Sequence, residues 1–66
     1  MQISLNGKPY ILENILTVGE FVQILALEPT QVAIEKNREI VPKSCYASEM
    51  IKDGDEIEIV AFIGGG

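Results

Sequence analysis

Leu16-Thr17-Val18-Gly19-Glu20-Phe21 carries a complete helix start, and Pro29 keeps that helix from running on. Thr17 is placed to cap and Glu20 to reach back, the reciprocal S/T-x-x-E box, with Leu16 and Phe21 as its hydrophobic staple. Val18, Phe21, Val22 and Leu25 then fall at i, i+3, i+4 and i+7, a single apolar stripe. The residue before proline is biased out of the α region, so the helix is expected over about Val18 to Ala26. A helix this short is marginal in water, where roughly 12 residues are needed for isolated stability. It has to bury its stripe against a sheet.

The rest of the chain reads as strands that would form that sheet. Met1, Ile3 and Leu5 alternate with Gln2 and Ser4, the period of a half-buried strand. Asn6-Gly7 follows, a strong hairpin signal, because a type I′ turn needs positive φ at both central residues. Lys8 to Leu12 is the returning strand, and Pro9, which lacks an N–H, places it at an edge. Val32 to Glu35 and Glu39 to Val41 read as two more strands joined tightly through Lys36-Asn37-Arg38, with Pro42 ending the second. Lys43 to Met50 is weakly patterned, with room for one helical turn. Asp53-Gly54-Asp55 is a turn with glycine where φ is positive. Glu56 to Ile63 is the final strand, with Ile57, Ile59, Ala61 and Ile63 on the face expected under the helix.

The first and last strands carry the densest apolar residues and are expected to pair at the sheet centre. A right-handed crossover through the helix would join the two halves. This ββαββ order predicts an α+β chain with the β-grasp, or ubiquitin-like, fold: a mixed sheet with one main helix on one face. Sixty-six residues make one small domain, expected over 1–63, followed by a flexible glycine tail over 64–66. The apolar fraction of 47% supports a folded globule rather than a disordered acidic segment.

Ten acids against five bases give a net charge of −5, scattered along the chain without a block of either sign. Nucleic-acid binding needs a clustered basic face, and none is present in the sequence. No apolar run approaches the roughly 20 residues that cross a bilayer. The start of the chain lacks the basic and long apolar regions of a signal peptide. The single cysteine, Cys45, has no partner for an internal disulfide and reads as a small half-buried hydrophobe. A soluble cytoplasmic protein is the expectation.

The sequence holds little that would run a reaction by itself. No histidine is present to activate Cys45 or a serine. Asp53-Gly54-Asp55-Glu56 lacks the spacing and distal glutamate of a calcium loop, so no metal site is expected. The glycines near the end neither open a helix nor precede a lysine, which excludes a phosphate-binding loop. What stands out is the closing segment Ala61-Phe62-Ile63-Gly64-Gly65-Gly66, a strongly apolar strand running into three glycines and, as expected from the sequence, a free carboxylate. At about 3.3–3.6 Å per extended residue the glycines reach about 10 Å beyond the body. Without Cβ atoms such a segment enters a narrow cleft and presents its carboxylate first. A carboxylate needs activation, for instance as an acyl-adenylate made by another enzyme, before it passes to an amine or a sulfur donor. On the face of the last strand away from the helix, Glu56 and Glu58 give way to Val60 and Phe62, where a solvated face would stay polar. Glu58, Val60 and Phe62 are therefore the expected docking patch at the root of the tail.

The Asn6-Gly7 start, Ile40-Val41-Pro42, Asp53-Gly54-Asp55-Glu56-Ile57-Glu58-Ile59 and the closing Val60-Ala61-Phe62-Ile63-Gly64-Gly65-Gly66 resemble the ThiS family of sulfur carriers in thiamin biosynthesis, over essentially the whole chain. The molybdopterin carrier MoaD shares the fold and ending but is usually longer. The resemblance implies that Gly66 is adenylated by a ThiF-like enzyme using ATP and magnesium. Sulfur, drawn from cysteine through a desulfurase, would then replace the adenylate to leave a thiocarboxylate. Thiazole synthase (ThiG) would accept that sulfur. Gly65 and Gly66 match the family's functional tail, and Gly64 extends it. By the same resemblance the carrier is a cosubstrate that binds no cofactor stably. A carrier for molybdopterin or another sulfur product, or a ubiquitin-like protein modifier, would use the same tail.

Overall fold

The computed structural model describes residues 1–61; Phe62 to Gly66 lie outside the described residues. In chain order the strands are β1 (Gln2–Leu5), β2 (Lys8–Ile11), β3 (Leu16–Thr17), β4 (Val32–Lys36), β5 (Glu39–Ile40), β6 (Met50–Ile51) and β7 (Glu56–Ala61). The helix α1 (Val18–Ile24) follows β3, and short 3-10 turns occupy Pro29–Gln31 and Lys43–Cys45. Five strands form the main sheet in the order β2-β1-β7-β4-β5, and β3 pairs with β6 in a two-stranded sheet beside it.

The main sheet is mixed, as its sequence pattern predicts. β1 and β7 run parallel at its centre, with Ser4 opposite Glu56 and Leu5 opposite Ile57. The β1–β2, β4–β5 and β4–β7 pairs are antiparallel. β2 is an edge strand, which accommodates Pro9. Both hairpins of the sheet close through turns with two successive positive φ values: Asn6 at 51° and Gly7 at 83°, then Asn37 at 53° and Arg38 at 69°. This is the type I′ conformation, whose twist matches that of the strands it joins.

Thr17 and Glu20 form the expected box: the Glu20 amide donates to the Thr17 hydroxyl at 3.1 Å and the Thr17 amide to the Glu20 carboxylate at 2.8 Å. The Val18 amide donates to the Glu49 carbonyl and the Gly19 amide to the Tyr46 carbonyl. All three leading amides of α1 are thereby satisfied, which a buried helix start requires. Gly19 permits this approach, since a Cβ there would meet the Tyr46 oxygen at 3.3 Å. The helix buries Val18, Phe21 and Val22 against Ile3, Val32, Ile34 and Ile57 from the sheet, with Leu12, Val41, Tyr46 and Ile51 closing the sides. Leu16 and Leu25 pack at the margin. Phe21 is fully buried, with the Tyr10 ring edge-on at 5.5 Å and 84°.

Several boundaries differ from the sequence reading by a residue or two. The helix stops at Ile24 rather than Ala26, because Ala26 adopts φ 58° and turns the chain before Pro29 is reached. The strand after the second turn covers only Glu39–Ile40, although the Val41 amide still donates to the Ile34 carbonyl. Segment 43–50 contains the single helical turn that its pattern leaves room for, the 3-10 turn at Lys43–Cys45; the buried Tyr46 follows, and Met50 opens β6, a strand the sequence reading does not include. Within β7, Ile57 is buried and Ile59 partly so, whereas Ala61 is exposed at the strand's end.

Candidate functional site

In the sequence β7 stands two residues before the glycines, and the site is built around that strand. Its two neighbours end at different points. β4 accompanies it as far as Ala61, which lies opposite Val32. β1 stops at Leu5, where the chain turns away through Asn6-Gly7. Two asparagines then extend the support that the strands give. The Asn6 amide donates to the Ile57 carbonyl at 2.9 Å, and its side-chain oxygen accepts from the Ile59 amide at 2.7 Å. On the opposite edge, the Asn37 amide donates to the Glu56 carbonyl at 2.8 Å and its side-chain oxygen accepts from the Glu56 amide at 2.9 Å. The Asn37 side-chain amide also donates to Asp55.

The turn that launches β7 is fastened in the same way. The Asp53 carboxylate accepts from the Gln2 amide at 2.7 Å, Asp55 accepts from the Lys52 amide at 2.8 Å, and the Ser4 amide donates to the Asp55 carbonyl. These acids are hydrogen-bond acceptors for backbone groups, which explains the Asp-Gly-Asp spacing without a metal. Among the described residues no group of three or more histidine, cysteine or acidic side chains could hold a metal ion.

The sheet face away from α1 is acidic and apolar. Glu35 lies opposite Glu58, with Ile40 on the far side of Glu35; in the next row Ala33 lies opposite Val60. Val60 is 57% exposed and Ile40 63%. Among the described residues neither Glu35 nor Glu58 makes an ion pair; Glu56 lies 3.8 Å from Arg38, and Glu49 pairs with Lys36 at 2.6 Å. Like charges directly across a strand pair repel, so the Glu35–Glu58 pair weakens the sheet locally. Glu58 and Val60 thus share one exposed surface as the sequence predicts. Phe62, Gly64, Gly65 and Gly66 lie outside the described residues. Cys45 is half-buried at the edge of the core, as expected for a small hydrophobe. A concave surface lies on the helix side, between the start of α1 and residues 43–47, and is lined by neither Glu58 nor Val60.

Asn6 and Asn37 are the residues that sequence reasoning missed. Asn6 was legible as a turn former and Asn37 as part of a tight connection, but not as supports of β7. The available signal is that asparagine tolerates the left-handed conformation and bonds nearby backbone through its side chain.

The ThiS family model matches residues 3–66. Among solved structures, the crystal structure of the thiamine biosynthesis protein ThiS from Geobacter metallireducens superposes with a TM-score of 0.87 at 32% identity, over all of both chains. The sulfur carrier protein ThiS of Escherichia coli is 32% identical over the full length of both. A thiazole synthase of Paramagnetospirillum magneticum is 46% identical over all 66 residues of this chain, and one of Magnetococcus marinus 38% identical; the chain spans 20% of the length of each. The family match extends through the glycines, and the structural likeness holds over the whole of a chain of the same kind. By its sequence and its β-grasp fold, this chain belongs to the ThiS family.

Proposed function

We propose that the chain is a cytoplasmic sulfur carrier in thiamin biosynthesis, whose working group is the carboxylate of Gly66. A ThiF-like partner joins that carboxylate to the adenylyl group of ATP, with magnesium and release of pyrophosphate. A persulfide, supplied through a cysteine desulfurase, attacks the acyl-adenylate and displaces AMP, and a thiol then cleaves the resulting acyl disulfide, releasing a disulfide and leaving the thiocarboxylate. Its sulfur is then donated to thiazole synthase. The chain is the cosubstrate throughout, and Gly64 and Gly65 supply reach and access. The observation that carries this reading is the ThiS family match, which includes the three terminal glycines. The thiamin pathway is favoured over molybdopterin by the 46% identity to a segment of a protein named thiazole synthase.

Docking is assigned to the exposed face of β7. Val60 and Glu58, with Phe62 beyond them, suit a partner surface that is apolar at its centre and basic at its margin. The test is intact-mass measurement after incubation with ATP, the activating enzyme and a sulfur source. The expected result is a gain matching exchange of one oxygen for sulfur, absent when Gly66 is deleted. A ladder of protein adducts in place of that gain would establish the modifier reading. Val60→Asp and Phe62→Asp are expected to weaken activation while thermal unfolding stays near wild type. A melting loss on the scale of a core substitution would remove these residues from the docking surface.

A further inference from the structure

We infer that Asn6 is a positioning residue for the carrier's reaction: its carboxamide stands in for the strand that β1 no longer supplies and fixes the path of β7, the strand that precedes the glycines in sequence. The hydrogen-bond pattern of the sheet requires a partner of this kind. The Val41 amide donates to the Ile34 carbonyl, so the polar groups of Ile34 face β5. Ile34 lies directly opposite Ile59. Opposed residues of an antiparallel pair either exchange both hydrogen bonds or neither, so the Ile59 amide faces away from β4. It points to the side where β1 has already turned off. There the Asn6 side-chain oxygen receives it at 2.7 Å, while the Asn6 amide holds the Ile57 carbonyl at 2.9 Å. Asn6 thus takes both positions that a continuing strand residue would have filled, one with backbone and one with its side chain.

The left-handed backbone at Asn6, φ 51°, makes this possible. One residue both reverses the chain for the hairpin and keeps its side chain beside β7. Two residues past Ile59 the described strand ends at Ala61, where β4 is its only strand partner among the described residues. A carboxylate that must enter a distant active site is aimed by the strand behind it, and small misplacements of a reacting group carry large rate penalties. Asn6 touches no reacting atom, so its contribution belongs in turnover and not in docking.

This inference rests on the carrier function proposed above, and the experiment separates the two. Asn6→Gly keeps a turn with two glycines that adopt positive φ freely while removing the carboxamide. Asn6→Asp keeps an oxygen acceptor for Ile59 and a residue type suited to the turn. In the glycine variant the Ile59 amide should exchange with solvent about tenfold faster, the scale of one ordinary hydrogen bond. With the carrier as the varied substrate of the activating enzyme, Asn6→Gly should lower kcat roughly tenfold with KM near wild type, and Asn6→Asp should restore most of it. Unchanged protection at Ile59, a loss confined to KM, or no recovery in Asn6→Asp overturns the positioning role. A wild-type chain that no ThiF-like enzyme adenylates overturns the carrier reading itself, and the positioning role with it.

Discussion

Tyr46 sits in the core with only 7% of its surface exposed, and its hydroxyl is buried without a hydrogen-bond partner among the described residues. Burial pushes the phenol above its ordinary value of 10.0; the backbone of Ile34 opposes that shift without completing a bond to the hydroxyl. The ring earns its place by packing, with the Lys43 ammonium 5.8 Å from its centroid. Removing an unsatisfied buried hydroxyl while keeping the ring is close to neutral or stabilising. Tyr46→Phe should therefore melt at or above the wild-type temperature at neutral pH. The sign of the pH effect follows from the upward shift: the folded state favours the protonated phenol, so stability is held below about pH 10 and falls as pH rises through the folded value. Denaturant titrations should show that alkaline loss shrinking in Tyr46→Phe. A neutral-pH loss of more than about 1 kcal/mol would mean that the hydroxyl is bonded after all.

The two ends of α1 differ in what they reveal. Its start was legible because Thr17 and Glu20 are chemical signals tied to two particular amides. Its end was not, because the residue that terminates it is an alanine. The Ala26 amide donates to the Gln23 carbonyl and the Leu27 amide to the Val22 carbonyl, the Schellman closure, with Leu27 packed on the core. That closure places Ala26 at φ 58°, where glycine is the usual occupant and gives the signal that alanine withholds. An L-residue held there is strained by roughly 1–2 kcal/mol, while glycine loses about 0.4–1 kcal/mol more backbone entropy on folding. Ala26→Gly should stabilise by about 0.5–1 kcal/mol and raise the melting temperature by about 2–8 °C. A lower melting temperature would show that the Ala26 methyl contributes packing that exceeds its strain. The β3–β6 pair was illegible for another reason: two residues in each strand are too few to show a period of two. The central pairing of β1 with β7 was legible because their apolar residues are dense enough to require burial on a covered face.

At the scale of the molecule, the strand that precedes the glycines is also the central one of the five-stranded sheet, with β1 and β4 beside it and a further strand beyond each. Under the carrier function proposed above, the exposed acidic and apolar face of that strand is the surface offered to partners. The sequence pattern located Glu58 and Val60 on that face, but their cross-strand neighbours depend on register, which alternation alone leaves open. The register sets Glu35 against Glu58 with no cation joined to either among the described residues. Opposed like charges on a sheet destabilise by an amount comparable to the roughly 0.2–1 kcal/mol that favourable pairs contribute. A surface selected only for stability would carry opposite charges at this position, whereas a docking surface keeps both acids for a basic partner. Glu35→Lys should therefore separate the two demands. Thermal unfolding should shift upward through the new attraction to Glu58. Association with the activating enzyme should weaken several-fold, through a slower on-rate and most visibly at low salt, where the field of the face is least screened. A gain in stability with unchanged association would place the partner on another face of the molecule. A loss of stability would mean that Glu35 is held by contacts that outweigh its repulsion from Glu58.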